Sequence, residues 1–158
     1  MIRKIVSGGQ TGVDRAGLDA ARTAAIPIGG YCPKGRLAED GVIPDLYPLT
    51  ELESPEYRYR TEQNVIESDG TLILNSGTLA DGTRLTYDFT VQHAKPCLIV
   101  QLDDENRPEL AGVVRWLEGQ SIDTLNVAGP RESKVPGGIY SEAFDYLIRV
   151  CDVMKTSA

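Results

Sequence analysis

The stretch Ser7-Gly8-Gly9-Gln10-Thr11-Gly12-Val13-Asp14-Arg15 follows the apolar run Ile2 to Val6 and opens the Ala-rich stretch Ala16 to Ala25. β-Branched residues, then glycines at 8, 9 and 12, then strong helix formers specify strand, tight turn and helix start in that order. A turn of this kind suits an anion: glycines permit positive φ and close backbone approach, and unpaired N–H groups at a helix start favour phosphate. The spacing is neither the Gly-x-Gly-x-x-Gly of dinucleotide sites nor the Walker loop. The same residues also have a purely structural use, with Thr11 capping the helix, Asp14 as its capping-box acid and the glycines serving only the turn.

Further along, Ala25 to Tyr31 reads as a short second strand, entered through Pro27 and left through glycine. Cys32 to Gly41 is too polar and turn-rich for regular structure, and Lys34 and Arg36 flank Gly35 so that both cations can meet one anion. Residues Pro44 to Tyr59 form an irregular, proline- and tyrosine-bearing excursion, followed by a helix over Arg60 to Ser68. Apolar strands are expected at Thr71 to Asn75, Pro96 to Leu102 and Thr124 to Ala128, with helices at Arg84 to His93 (capped by Thr83), Glu109 to Gln120 and Ile139 to Met154. His93, the one histidine, reads as a surface or capping residue.

Alternating buried strands and amphipathic helices imply an α/β fold: a Rossmann-like, mostly parallel sheet with helices on both faces. The 158 residues are expected to form one domain, ordered except at Thr156 to Ala158. A net charge of -7 argues against a nucleic-acid or anionic-membrane surface. Cys32, Cys97 and Cys151 are odd in number and widely spaced, which favours reduced, buried thiols over a disulfide framework or a zinc site. There is no secretory leader pattern and no apolar run of membrane-spanning length, so the expected location is cytoplasmic.

In a parallel sheet every strand-to-helix loop reaches the same edge. Three glycine-bearing loops, at Gly8, Ser76 and Gly129, are of that kind. They imply a preformed pocket for an anionic small molecule, built from Gly8, Gly9, Gln10, Thr11, Gly12 and Arg15, from Lys34, Gly35 and Arg36, from Ser76, Gly77, Gly82 and Thr83, and from Gly129 and Arg131. The amides after Gly8 and Gly9 are expected to take a phosphate, Lys34, Arg36 and Arg131 to neutralise it, and Gly82 and Thr83 to close the other side. On this reading Gly9→Val abolishes binding and retains the fold. Arg60 is a further cation within reach. No Ser-His-Asp spacing, metal-ligand spacing or nucleophile elbow is present, so no catalytic residue and no metal ligand is assigned.

With these residues assembled, the chain resembles the putative molybdenum carrier family, the molybdenum-cofactor carrier-like proteins. The resemblance rests on Ser7 to Arg15, Pro33-Lys34-Gly35-Arg36-x-Ala38-Glu39-Asp40-Gly41, Tyr57-x-x-Arg60-Thr61-x-x-Asn64-Val65, Ser68-Asp69-Gly70-Thr71 and Gly129-Pro130-Arg131. It implies a Rossmann-like domain, commonly a homo-oligomer, in a superfamily of nucleotide-handling proteins, with molybdenum cofactor, a pterin phosphate whose dithiolene holds the metal, as a candidate ligand. The phosphoribohydrolases of that superfamily carry Pro-Gly-Gly-x-Gly-Thr-x-x-Glu. The similar stretch here, Ala80 to Thr86, has Thr86 where they have glutamate, which counts against N-glycosidase chemistry and leaves a phosphate-binding loop. The expected function is therefore binding or carriage of molybdenum cofactor or a related phosphorylated, nucleotide-like molecule. The alternative is an enzyme hydrolysing a nucleotide N-glycosidic or phosphate bond through Asp14, Glu39 or Asp88.

Overall fold

Five apolar segments line up in one parallel sheet: β1 (Lys4–Val6), β2 (Ile28–Gly29), β7 (Gly70–Asn75), β8 (Cys97–Gln101) and β9 (Thr124–Ala128), ordered β2-β1-β9-β7-β8. The helices between them are α1 (Val13–Thr23), α2 (Tyr57–Ile66), α3 (Asp81–Gln92), α4 (Leu110–Gly119) and α5 (Tyr140–Ser157). The computed structural model describes residues 1–157. Of the tail expected to be unordered, Thr156 and Ser157 continue α5, and Ala158 lies outside the described residues.

The strand order decides where the helices go. Connections from β1 to β2 and from β8 to β9 run one way across the sheet, and those from β2 to β7 and from β7 to β8 run the other way. Right-handed crossovers then send α1 and α4 to one face and α2 and α3 to the opposite face. The packing agrees, because α5 lies against both α1 and α4, and α2 lies against α3. Counted from β9 as the first strand, the order reads 3-2-1-4-5, that of a doubly wound sheet. The fold is thus the expected Rossmann-like α/β sandwich.

Its core is the expected one. All six residues of β7 are buried, and Leu72, Leu74, Val100, Leu125 and Val127 meet Val13, Ala16 and Ala20 of α1 and Val113 and Leu117 of α4. A smaller second core joins Leu18 on α1 to Cys32, Ala38, Ile43, Tyr47 and Leu49.

That second core explains most departures from the sequence reading. The segment expected as one strand over residues 25–31 divides at Gly30, whose φ of +127 turns the chain out of the sheet. Beyond it β3 (Tyr31–Cys32) pairs with β6 (Thr50–Glu51). The stretch expected to be irregular, Cys32 to Gly41, contains β4 (Leu37–Ala38), which makes a small antiparallel hairpin with β5 (Gly41–Val42). α2 starts at Tyr57 rather than Arg60. α3 starts at Asp81 with Ala80 at the cap position, so Thr83 is a buried first-turn residue and no cap. All three cysteines are free.

Candidate functional site

A cleft of about 500 Å³ opens where the strand order reverses, above the C-terminal ends of β1, β9 and β7. Doubly wound sheets leave such a crevice because helices leave neighbouring strands toward opposite faces. Its walls are Gly8, Gln10 and Asp14; Asn75, Ser76 and Thr78; Asp81, Gly82, Thr83 and Thr86; Asn126, Gly129, Arg131 and Lys134; and, from α2, Tyr57, Arg58, Arg60, Thr61 and Asn64. Among these residues four cations, Arg58, Arg60, Arg131 and Lys134, face two carboxylates, Asp14 and Asp81, in a chain whose net charge is -7.

The β1–α1 loop is closed on itself. Gly9 N–H donates to Ser7 Oγ at 3.2 Å, Gln10 N–H to Asp14 Oδ2 at 3.3 Å, Thr11 N–H to Gln10 Oε1 at 3.0 Å and Val13 N–H to the Pro130 carbonyl at 3.3 Å. The amides expected to hold a phosphate are therefore already satisfied, and the carboxylate of Asp14 occupies the role of the anion. Burial pushes the Asp14 carboxyl up to about 6, against the pull of Arg60 and of the Gln10 and Gly8 amides. Arg60 is itself buried, donating from Nη1 to the Gly8 carbonyl at 2.9 Å, with Asp14 at 3.7 Å.

The glycines of this loop make room for protein. A Cβ on Gly8 would lie 2.2 Å from Arg60 Nη1; on Gly12 (φ +78) it would lie 2.4 Å from the Pro130 carbonyl oxygen. Gly9 (φ +75) faces away from the cleft, where a Cβ would lie 2.6 Å from Leu49 of the second core. Gly9→Val is consequently a lesion of packing, which corrects the expectation that it spares the fold. Thr11 also departs from its expected role as a cap. Its hydroxyl donates to the Glu39 carboxylate and accepts from Glu132 N–H at 3.2 Å, and Gly12 sits at the cap position of α1.

Two expected cations are used elsewhere and a third, Lys34, lies outside the cleft. Arg15 donates to the Gly9 carbonyl at 3.0 Å and forks onto Asp40 at 2.6 and 2.8 Å. Arg36 spends its guanidinium on the carbonyls of Ile43, Pro44, Tyr47 and Leu49, which folds the excursion around it. Lys34 is exposed and Gly35 N–H donates to the Glu51 carboxylate; neither residue lines the cleft. Arg131 does line it, with Nε 3.4 Å from Glu39 Oε2 but without hydrogen-bond geometry. Burial opposes the charge on Glu39, yet hydrogen bonds from Ser133 and Thr11 and the nearby Arg131 hold its carboxyl below the usual value. Glu39 thus latches the first and last loops together.

The β7–α3 loop is open. A Cβ on Gly77 or Gly82 would meet nothing within 4 Å among the described residues, and no side chain caps α3; the Gly77 amide donates to Asp103 Oδ2 and the Thr83 amide to the Ala80 carbonyl, both at 3.1 Å, which leaves Asp81 and Gly82 as the open start. Asp81, at φ +48, pairs instead with Lys134 at 3.2 Å, linking the two sides of the cleft. At the end of β7, Asn75 is 1% exposed; its amide nitrogen donates to Gly77 O and Gln101 Oε1, both at 3.0 Å, and Oδ1 has no partner among the described residues.

Ser76, Gly82, Thr83, Gly129, Arg131, Gly8 and Gln10 are brought together as expected, whereas Gly9, Thr11, Gly12, Arg15, Lys34, Gly35, Arg36 and Gly77 are not among the cleft's lining residues. Arg60, named as a further cation within reach, does line the cleft, whereas Asn75, Asn126 and Thr86, together with Tyr57, Arg58, Thr61 and Asn64 of α2, were missed. A polar residue inside an otherwise apolar strand, as in Leu-Asn-Val and Leu-Ile-Leu-Asn, was the available signal. Of the carboxylates proposed for hydrolysis only Asp14 lines the cleft, and Asp88 pairs with Arg84 at 3.1 Å on the outside of α3. His93 ends α3 as expected, with its ring on Glu62 at 2.8 Å. Among the described residues no group of three His, Cys, Asp or Glu side chains could hold a metal, and no helix is long and apolar enough to cross a membrane.

Residues 5–151 match the family described as the circularly permutated YpsA SLOG family. The crystal structure of a "putative molybdenum carrier protein" from Syntrophus aciditrophicus SB, at 1.45 Å resolution, is 47% identical and superposes with a TM-score of 0.87 over 95% of this chain and 94% of that one. No curated protein matches the chain in sequence. The permutation is visible in the sheet, whose order becomes 3-2-1-4-5 only when β9 is counted first. By sequence and by strand order, the chain belongs to the circularly permutated YpsA SLOG family.

Proposed function

We propose that the chain binds and carries a phosphorylated, nucleotide-like small molecule in the cleft between β9 and β7, molybdenum cofactor being the cargo suggested by the name of its Syntrophus neighbour. The observation that carries this reading is the junction of an open helix start, at Asp81 and Gly82, with Arg131 and Lys134 in a cleft of about 500 Å³. Helix starts and paired cations both favour a phosphate, and the volume suits a small organic molecule. The phosphate is held by the Asp81 and Gly82 amides at the start of α3, by Arg131 and by Lys134 once it exchanges Asp81 for the ligand.

The residues present fit the organic part of molybdenum cofactor. Neither a metal-binding cluster nor any of the three cysteines lines the cleft among the described residues, so the metal stays with the cofactor's own dithiolene while the chain holds the pterin phosphate. Hydrolysis gains no comparable support. Thr86 donates its hydroxyl to the Gly82 carbonyl at 2.9 Å, a helix-internal use.

Calorimetric titration with phosphorylated ligands tests the reading. Adenosine monophosphate or a pterin phosphate is expected to bind, with affinity reduced roughly tenfold in Arg131→Met and falling as salt rises. Absence of binding by every phosphorylated ligand, or binding unchanged in Arg131→Met, contradicts it.

A further inference from the structure

The N-terminal turns of α2 contribute Tyr57, Arg58, Arg60 and Thr61 to the cleft. Tyr57 is 37% exposed although it lines a cleft, and the guanidinium carbon of Arg60 lies 5.0 Å from its ring centroid. Arg60 cannot swing away, being buried and tied to the Gly8 carbonyl at 2.9 Å and to Thr61 Oγ1 at 3.2 Å. A fixed cation therefore backs one side of the ring and fixes its attitude, while the exposed remainder borders the cleft. An aromatic ring held this way is a platform for another flat ring.

A second observation comes from the floor of the same cleft. Both amide protons of Asn75 are committed, to Gly77 O and Gln101 Oε1, which assigns the amide's orientation and leaves Oδ1 as the unused acceptor. A buried acceptor without a donor is costly, so a ligand that brings an N–H or O–H gains by filling it. Inorganic phosphate needs neither the platform nor the acceptor. A planar heterocycle with ring or exocyclic N–H groups uses both.

We infer that Tyr57 is the specificity-determining residue of this cleft, the platform on which the flat ring of a phosphorylated ligand stacks. This rests on the binding reading above and adds to it the residue that selects ring-bearing over ringless phosphates.

Titration of the whole protein with adenosine monophosphate, 6-hydroxymethylpterin phosphate, ribose 5-phosphate and inorganic phosphate separates the two. At least one ring-bearing probe is expected to bind ~10-fold or more tightly than ribose 5-phosphate, and the tighter of the pair identifies the ring type. Tyr57→Phe is expected to keep that advantage, and Tyr57→Ser to erase it without changing ribose 5-phosphate affinity. Equal affinity for ring-bearing and ringless phosphates in the unmodified protein overturns the inference and leaves the binding reading standing, whatever the variants do. An advantage that survives Tyr57→Ser also overturns it. If none of the four probes binds, the binding reading falls and takes the inference with it.

Discussion

Two loops leave the same sheet edge with the same kind of small-residue sequence, and they do opposite things. In the β1–α1 loop the glycines are where protein meets protein: Gly8 admits Arg60, Gly12 admits the Pro130 carbonyl, and the amides are taken by Ser7, Gln10 and Asp14. In the β7–α3 loop Gly77 and Gly82 have open space beside them. Glycine marks a place where a side chain is excluded; whether a ligand or another part of the chain excludes it depends on residues far away in sequence.

Substitution by alanine divides the two loops most sharply. Gly12→Ala places a Cβ against a backbone carbonyl at positive φ, and about 3–5 kcal/mol of stability is expected to be lost, read as the shift of the urea unfolding midpoint. A loss under ~1 kcal/mol would break the distinction between the loops. Arg60→Met comes next, because it leaves the buried Asp14 carboxyl without its cation: about 3 kcal/mol is expected at pH 7 and less at pH 5, where Asp14 takes up a proton. A penalty equal at both pH values would show that Asp14 is not the group served.

Asp14 itself sharpens the comparison. With its carboxyl raised to about 6 in the folded protein and near 3.8 when unfolded, the folded state holds the proton more tightly. Its contribution to stability is thus present below about pH 4 and is lost as pH rises through 6, on the order of 3 kcal/mol. Urea midpoints measured from pH 4 to 7 are expected to show this decline in the parent and not in Asp14→Asn; parallel curves would contradict the assignment. The smallest stability effect belongs to Gly82→Ala, within ~0.5 kcal/mol of the parent because the site is open and its φ ordinary. Binding of adenosine monophosphate is expected to weaken in that variant, and unchanged affinity would move the anion away from α3.

The sheet was legible because β-branched runs and glycine turns are local signals, and β9 was recovered to the residue at Thr124–Ala128. The site was legible only as an edge. Arg60 and Leu49 decide that the first loop is closed: Leu49 comes from a segment whose prolines and tyrosines give no periodic pattern, and Arg60, legible as a cation, is spent on the Gly8 carbonyl, which the sequence does not show. Lys34 and Arg36 looked like ligand cations because charge shows in sequence and carbonyl partners do not; Arg36 is consumed by four of them. The start of α2 at Tyr57, and with it the third wall of the cleft apart from Arg60, was hidden by the proline- and tyrosine-bearing segment that precedes it.

Amide chemical-shift mapping of the nitrogen-15-labelled protein during titration with adenosine monophosphate tests directly which loop receives the anion. The largest shifts are expected at Asp81 and Gly82, with Thr83, Ser76, Thr78 and Arg131 following, and small ones at Gly9 to Gly12. Shifts concentrated at Gly9, Gln10 and Thr11, with Asp81 and Gly82 unmoved, would contradict the account.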